Sequence, residues 1–157
     1  MSTMTIAPFQ PGQAAEVSAL ICRNLMEVNT RDYSRAEMRA VAAGYTPEKL
    51  LEMSRKRTML VASQAGRLLG TAALEPDGRG AAGAYEVLSV FVLPETHGQG
   101  VGRALMQALE DWARAQDGRV LTLSASLTAV HFYEKLGYTR QGPMTQDGLY
   151  VMRKPLT

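Results

Sequence analysis

Val90-Phe91-Val92-Leu93-Pro94-Glu95-Thr96-His97-Gly98-Gln99-Gly100-Val101-Gly102-Arg103 reads as a strand, a glycine loop and the first turn of a helix. The β-branched and aromatic run before Pro94 suits an extended chain, and the proline closes it. Glycines at positions 98, 100 and 102 let backbone N–H groups turn toward one point, to which the following helix adds the positive end of its dipole. The expectation is a backbone cradle for an anionic ligand.

Downstream of the loop, Val101, Leu105, Ala108, Leu109 and Trp112 recur at helical spacing. Arg103, Gln107, Glu110, Asp111 and Arg114 occupy the opposite side, and Gly118 ends the pattern. Val120 to Ala125 is a short strand. Ser126 is placed to cap a helix over Leu127 to Leu136, which stops at Gly137. Tyr138 to Met144 and Leu149 to Arg153 form a closing strand pair around the turn Gln146-Asp147-Gly148. Upstream, Met59 to Ala62 and Leu68 to Leu74 flank the turn Gln64-Ala65-Gly66-Arg67 as a hairpin. Glu75 to Gly83 is a connection rich in glycine, and Ala84 to Val92 is a longer strand. The chain opens with a short strand over Thr3 to Phe9 and an amphipathic helix over Gln13 to Val28. Two weaker helical patterns follow, Ser34 to Ala43 and Pro47 to Arg55, with Ser34 and Thr46 as N-caps. Consecutive antiparallel strands followed by a strand-helix-strand crossover imply a mixed sheet with helices on both faces.

At 157 residues, with 46% hydrophobic and 20% charged content, the chain fits one soluble globular domain over 1–157. A net charge of +2 supplies no basic field for nucleic acid. No apolar run approaches the ~20 residues that span a bilayer, and the N-terminus does not read as a signal sequence. The single cysteine, Cys22, has no partner for a disulfide and reads as a buried helical thiol, which fits a reducing, cytoplasmic setting. His97, His131 and Cys22 are too few and too scattered for a metal site, so no metal is expected.

Other glycine-rich motifs fit less well. The triphosphate loop Gly-x4-Gly-Lys followed by Ser or Thr is absent. The dinucleotide spacing Gly-x-Gly-x-x-Gly is not met by glycines two apart, which also lie after an antiparallel hairpin. Gly-x-Ser-x-Gly is absent, so a serine hydrolase elbow is not indicated.

The segment from Val90 to Arg103 resembles the central motif of the GNAT superfamily of acyl-CoA-dependent N-acetyltransferases, Arg or Gln-x-x-Gly-x-Gly or Ala at the end of a strand. Ala125-Ser126-Leu127-Thr128-Ala129-Val130-His131-Phe132-Tyr133-Glu134-Lys135-Leu136-Gly137-Tyr138 is similar to the family's Asn-x-x-Ala-x-x-Phe-Tyr-x-x-x-Gly-Phe block. Two blocks in the right order span, with the segment between them, about a third of the chain, and the derived element order suits the family's fold. His97 stands where the family has Arg or Gln, and Ser126 where many members have Asn.

The resemblance implies an α/β fold, GNAT-like, with a mixed and mostly antiparallel sheet of six to seven strands. It further implies an enzyme that moves the acetyl group of acetyl-CoA to a primary amine by direct attack in a ternary complex. Backbone groups of Val90, Phe91 and Val92 would pair with the pantetheine arm. His97, Gly98, Gln99, Gly100, Val101, Gly102 and Arg103 would hold the pyrophosphate, with Ser126 contributing a hydroxyl. An N–H near Val92 would polarise the acetyl carbonyl. Tyr133 would be the proton donor to the departing thiolate, and Glu86, eleven positions before His97, would be the base.

For both residues a structural role is the competing reading: Tyr133 as part of a buried helical face, Glu86 as a strand carboxylate or ion-pair partner. The alternative for the whole chain is a non-catalytic acyl-CoA-binding sensor module. The acceptor, a small-molecule amine in preference to a protein, would meet residues 29–57, including Arg31, Asp32, Tyr33, Arg35, Glu37 and Tyr45, with Tyr150 approaching from the closing strands. Edge strands near the C-terminus suggest a homodimer.

Overall fold

The computed structural model describes residues 3–78 and 82–156. Strand β1 (Thr5–Pro8) leads into three helices, α1 (Ala14–Glu27), α2 (Arg35–Ala42) and α3 (Pro47–Ser54). Strands β2 (Thr58–Gln64), β3 (Arg67–Pro76) and β4 (Ala84–Val92) follow, then α4 (Val101–Ala115), β5 (Val120–Ala125), α5 (Val130–Lys135), β6 (Thr139–Arg140) and β7 (Tyr150–Pro155). The strands form one sheet in the order β1-β2-β3-β4-β5-β7-β6, in which β4 and β5 are the parallel pair. That pair is the crossover expected around α4. Ser34 and Thr46 cap α2 and α3 as the sequence predicts, each accepting from the backbone N–H three residues on. Glu37 completes the capping box of α2, so the first turn of that helix occupies its carboxylate. The middle of the Glu75 to Gly83 connection, 79–81, lies outside the described residues.

The helices occupy both faces of the sheet, as β4 itself demonstrates. The Phe91 ring meets Tyr45, between α2 and α3, edge-on at 5.5 Å, while the neighbouring Val92 reaches Gly102 of α4. Adjacent strand residues point to opposite faces, so α4 lies on the face away from Tyr45. Between them runs an apolar core that includes Ile21, Leu50, Val61, Ala72, Leu74, Leu105, Leu109, Leu121 and Met152.

Several expectations are corrected. Helix α5 begins at Val130 and not Leu127, and Ser126 does not cap it: its hydroxyl bonds Thr128, while its carbonyl accepts from the Ala129 N–H. Helix α4 ends at Ala115, and the left-handed residue after it is Asp117 with φ 62°, ahead of Gly118. Glu110, expected on the solvent side of α4, is 3% exposed. Burial is possible because Lys154 of β7 donates to both carboxylate oxygens, at 2.9 and 3.2 Å. The closing hairpin is shorter than its pattern: β6 pairs only Thr139 and Arg140 with Arg153 and Met152, and the loop between the strands is long. The Cys22 thiol is half-buried and not sealed in the core.

Candidate active site

The site begins with a defect in β4. Ala73 pairs with Leu88, but Thr71 pairs with Phe91, so three steps along β4 match two along β3. The extra residue reverses the alternation. Tyr85 packs on Trp112 of α4, and odd-numbered residues would continue to face that helix, yet beyond the bulge it is Val92 that faces α4. Within the bulge Ser89 has φ 55°, a left-handed conformation that a residue with a Cβ adopts at a cost. Its hydroxyl is held by the Tyr45 hydroxyl at 2.9 Å and by Arg57 at 3.2 Å.

The bulge parts two strands. β4 and β5 pair in parallel only from Ala84–Val120 to Glu86–Thr122, although β4 runs on to Val92 and β5 to Ala125. Above Glu86 the two diverge, leaving a V-shaped fork with one free edge of β4 inside it. Which backbone groups face the fork follows from alternation. The Leu93 N–H donates to Leu69 of β3, so Phe91 also turns its peptide groups to β3, and Val90 and Val92 turn theirs to the open edge. The Val92 carbonyl already accepts from the Asn24 side-chain amide and from His97 Nε2, the latter at 3.1 Å.

At the upper end of the fork lies the glycine loop. Gly98 and Gly100 have φ 83° and 84°, and both would suffer strain from any side chain. Gly102 is helical and is needed for another reason, since a Cβ there would come within 2.9 Å of the Phe132 ring. The N–H groups of His97 and Gln99 are spent on Pro94 and Thr96. Those of Gly98, Gly100, Val101, Gly102 and Arg103 donate to nothing among the described residues, and the first intrahelical bond runs from Ala104 to Gly100. Five unpaired donors at and just before the N-terminus of a fifteen-residue helix offer an anion a set of hydrogen bonds and the positive end of the helix dipole. Beside it, a depression of about 450 Å³ is walled by Arg103, Gln107, Glu110, Lys135 and Lys154 among others. The loop is braced from outside by Glu95, which accepts from Arg23 of α1 and Arg67 of β3. These bonds hold its carboxyl down at about 2.

Of the two proposed acid–base residues, Glu86 is half-buried at the apex of the fork, on the face opposite Trp112, and its carboxylate has no hydrogen bond or ion pair among the described residues. The ion-pair alternative therefore finds no partner for it, whereas the adjacent Glu75 does pair with Arg57. Tyr133 is 7% exposed, packed edge-on between Phe132 and Tyr138 at 5.0 and 5.8 Å. Burial pushes its phenol above the ordinary tyrosine range. Its hydroxyl has no hydrogen-bond partner among the described residues, in which no sealed side-chain oxygen or nitrogen is left unpaired. The oxygen therefore reaches solvent and is available to a ligand.

The residues expected on the acceptor side divide. Tyr33 donates to Gly148 at 2.6 Å and accepts from Leu127, tying the segment after α1 to the loops that follow β5 and precede β7. Tyr45 serves the bulge, Glu37 serves a helix cap, and Tyr150 lies beneath the Arg140 guanidinium. Asn24, Ser89 and Arg57 were not singled out from sequence. Asn24 carried a signal, a polar residue in the apolar stripe formed by Val17 and Ile21 of α1 and by Val28 just after it, and it is 6% exposed. Ser89 carried none, because no local pattern marks a left-handed serine.

Residues 29–152 match the family described as acetyltransferase (GNAT) domain. The chain is 35% identical over 104 residues, 62% of its own length and 67% of the relative's, to an IAA acetyltransferase of Azospirillum brasilense. Its fold superposes with a TM-score of 0.81 on a GCN5-related N-acetyltransferase from Rhodopseudomonas palustris, at 27% identity, covering 99% of this chain and 98% of that one. With PaiA N-acetyltransferase of Thermoplasma acidophilum, solved in complex with coenzyme A, the TM-score is 0.86 at 18% identity over 98% and 99% of the two chains, a likeness of fold. The chain belongs to the GNAT acetyltransferase family. Both the family and the Azospirillum brasilense relative are described as acetyltransferases.

Proposed function

We propose that this protein transfers the acetyl group of acetyl-CoA to the primary amine of a small molecule by direct attack in a ternary complex. The observation that carries this reading is the fork above Glu86 and Thr122, which opens an unpaired edge of β4 at one end and leads to five free N–H donors at the other. An extended amide-containing arm ending in a pyrophosphate fits both. Val90 and Val92 would pair with the arm, Val92 through its N–H because its carbonyl is taken, and the N–H groups of Gly98 and 100–103 would hold the phosphates. Arg103 and Lys135, on the wall of the adjoining depression, add positive charge for the nucleotide end.

Acetyl-CoA supplies an acyl group already activated as a thioester. Glu86 would take a proton from the incoming ammonium, which at a lysine-like pKa of about 10.4 is charged at neutral pH and cannot attack. An N–H on the open edge near Val92 would donate to the carbonyl oxygen as negative charge builds there. Tyr133 would donate its O–H to the departing sulfur as the carbon–sulfur bond breaks. Because burial keeps that phenol protonated across the physiological range, it is always a donor, and the proton released by the amine replaces the one it gives. The test is thiol release from acetyl-CoA over a panel of amines, alongside CoA binding by calorimetry. Tyr133→Phe should bind CoA as wild type does and lose about 10²-fold in kcat. Full activity in that variant would refute its role, and tight CoA binding with no turnover of any amine would make the protein a sensor.

A further inference from the structure

We propose that Tyr45 and Arg57 are positioning residues that hold the fork open for the acyl donor by fastening the Ser89 hydroxyl. This rests on the acyl-CoA reading of the fork. Neither residue belongs to the two motif blocks, and both come from the stretch between α2 and β2. The inference begins with strain. Ser89 is a left-handed residue with a side chain, in a strand, at the point where β4 gains its extra residue and leaves β5. Such a conformation persists only when its surroundings over-determine it. Here the surroundings are specific: two hydrogen bonds converge on one hydroxyl, from the Tyr45 phenol at 2.9 Å and the Arg57 guanidinium at 3.2 Å.

Both partners are themselves fixed. The Tyr45 carbonyl accepts from Ser18 of α1 at 2.6 Å, and its ring stands edge-on to Phe91, two residues beyond the bulge. Arg57 is pinned to Glu75 of β3 at 3.1 Å. The hydroxyl is thus tied to α1 through one partner and to β3 through the other. Releasing it lets Ser89 relax toward the extended region and β4 swing toward β5, which narrows the edge that Val90 and Val92 present. The chemistry at Glu86 and Tyr133 is untouched by this, so the latch acts on binding of the acyl donor.

Tyr45→Phe removes one hydroxyl and keeps the ring on Phe91. Ser89→Gly removes the other and keeps the left-handed backbone accessible. Calorimetry with CoA, steady-state kinetics and thermal unfolding should be run on both single variants, on the double variant and on wild type. The expected result is a Kd for CoA and a KM for acetyl-CoA raised about five- to tenfold in Tyr45→Phe, as loss of one hydrogen bond predicts, and raised further in Ser89→Gly, which loses both bonds. The double variant should be no worse than Ser89→Gly alone, and kcat should stay within about twofold. Unchanged Kd and KM in both singles overturns the latch, even if the melting temperature falls, because a merely structural bond would lower stability alone. Loss of kcat at unchanged KM also overturns it. Failure of wild type to bind CoA removes the acyl-CoA reading and the latch with it, whereas wild-type binding with insensitive variants removes the latch alone.

Discussion

Replacing Lys154 by methionine should destabilise the protein far more than its position near the C-terminus suggests. Glu110 is 3% exposed, and Lys154 Nζ lies 2.9 and 3.2 Å from its two carboxylate oxygens. Removing one member of a buried pair leaves an uncompensated charge, at a cost of about 3–5 kcal/mol. Two features reduce that here: the Lys154 side chain is 24% exposed, and Arg114 remains 3.7 Å from Glu110. An expected loss of about 2 kcal/mol follows, which in a chain of this size lowers the melting temperature by about 4–8 °C.

Glu110→Leu combined with Lys154→Met tests the cause. With both charges gone the desolvation cost disappears, and what remains is the Tyr138 hydroxyl, 2% exposed as a residue, without the acceptor it now has at 3.5 Å, a cost of about 1 kcal/mol. The double variant should therefore recover about half of the loss. Calorimetric unfolding of the three proteins at neutral pH reads both effects. A fall of less than about 2 °C in the single variant, or a double variant less stable than the single, would refute the reasoning.

The remaining expectations concern the site. Glu86→Gln should lower kcat about 10²-fold near neutral pH while leaving CoA binding unchanged, and an unchanged kcat would remove it as the base. Gly102→Ala forces a methyl within 2.9 Å of the Phe132 ring, so overpacking of about 1–3 kcal/mol should appear as a lower melting temperature and weaker CoA binding, measured by unfolding and calorimetry. The Glu95 carboxyl, held at about 2 against an ordinary 4.5 by Arg23 and Arg67, stabilises the fold fully above 4.5, a contribution lost as pH falls from there through about 2. Glu95→Gln should flatten the stability profile in that window, and added salt should do the same to wild type because all three side chains are exposed.

The legible part of the site is the part built from local geometry. Gly98 and Gly100 occupy left-handed positions, and Pro94 and the apolar run before it announce a strand entering a helix, so the cradle could be read from one segment. Its details could not: which N–H groups stay free depends on the tight turn that consumes those of His97 and Gln99. Tyr133 was legible as a residue, through the block it belongs to, but not as an unpaired hydroxyl. That follows from Phe132 and Tyr138 packing around its ring without setting a hydrogen-bonding group against the oxygen.

By itself the sequence determined the order and kind of the elements, the backbone cradle and the family, because periodicity, caps, glycine spacing and two motif blocks are all short-range properties. Only the tertiary structure decided the fork, the Ser89 bulge with Tyr45 and Arg57 upon it, the Asn24 contact with Val92, and the burial of Glu110. Each of these joins residues that are from 28 to 68 positions apart. A hydroxyl in a strand, an asparagine on a helix and a glutamate opposite an apolar stripe have no local pattern that reveals a distant partner. What they do is settled by which surfaces the packed core brings together.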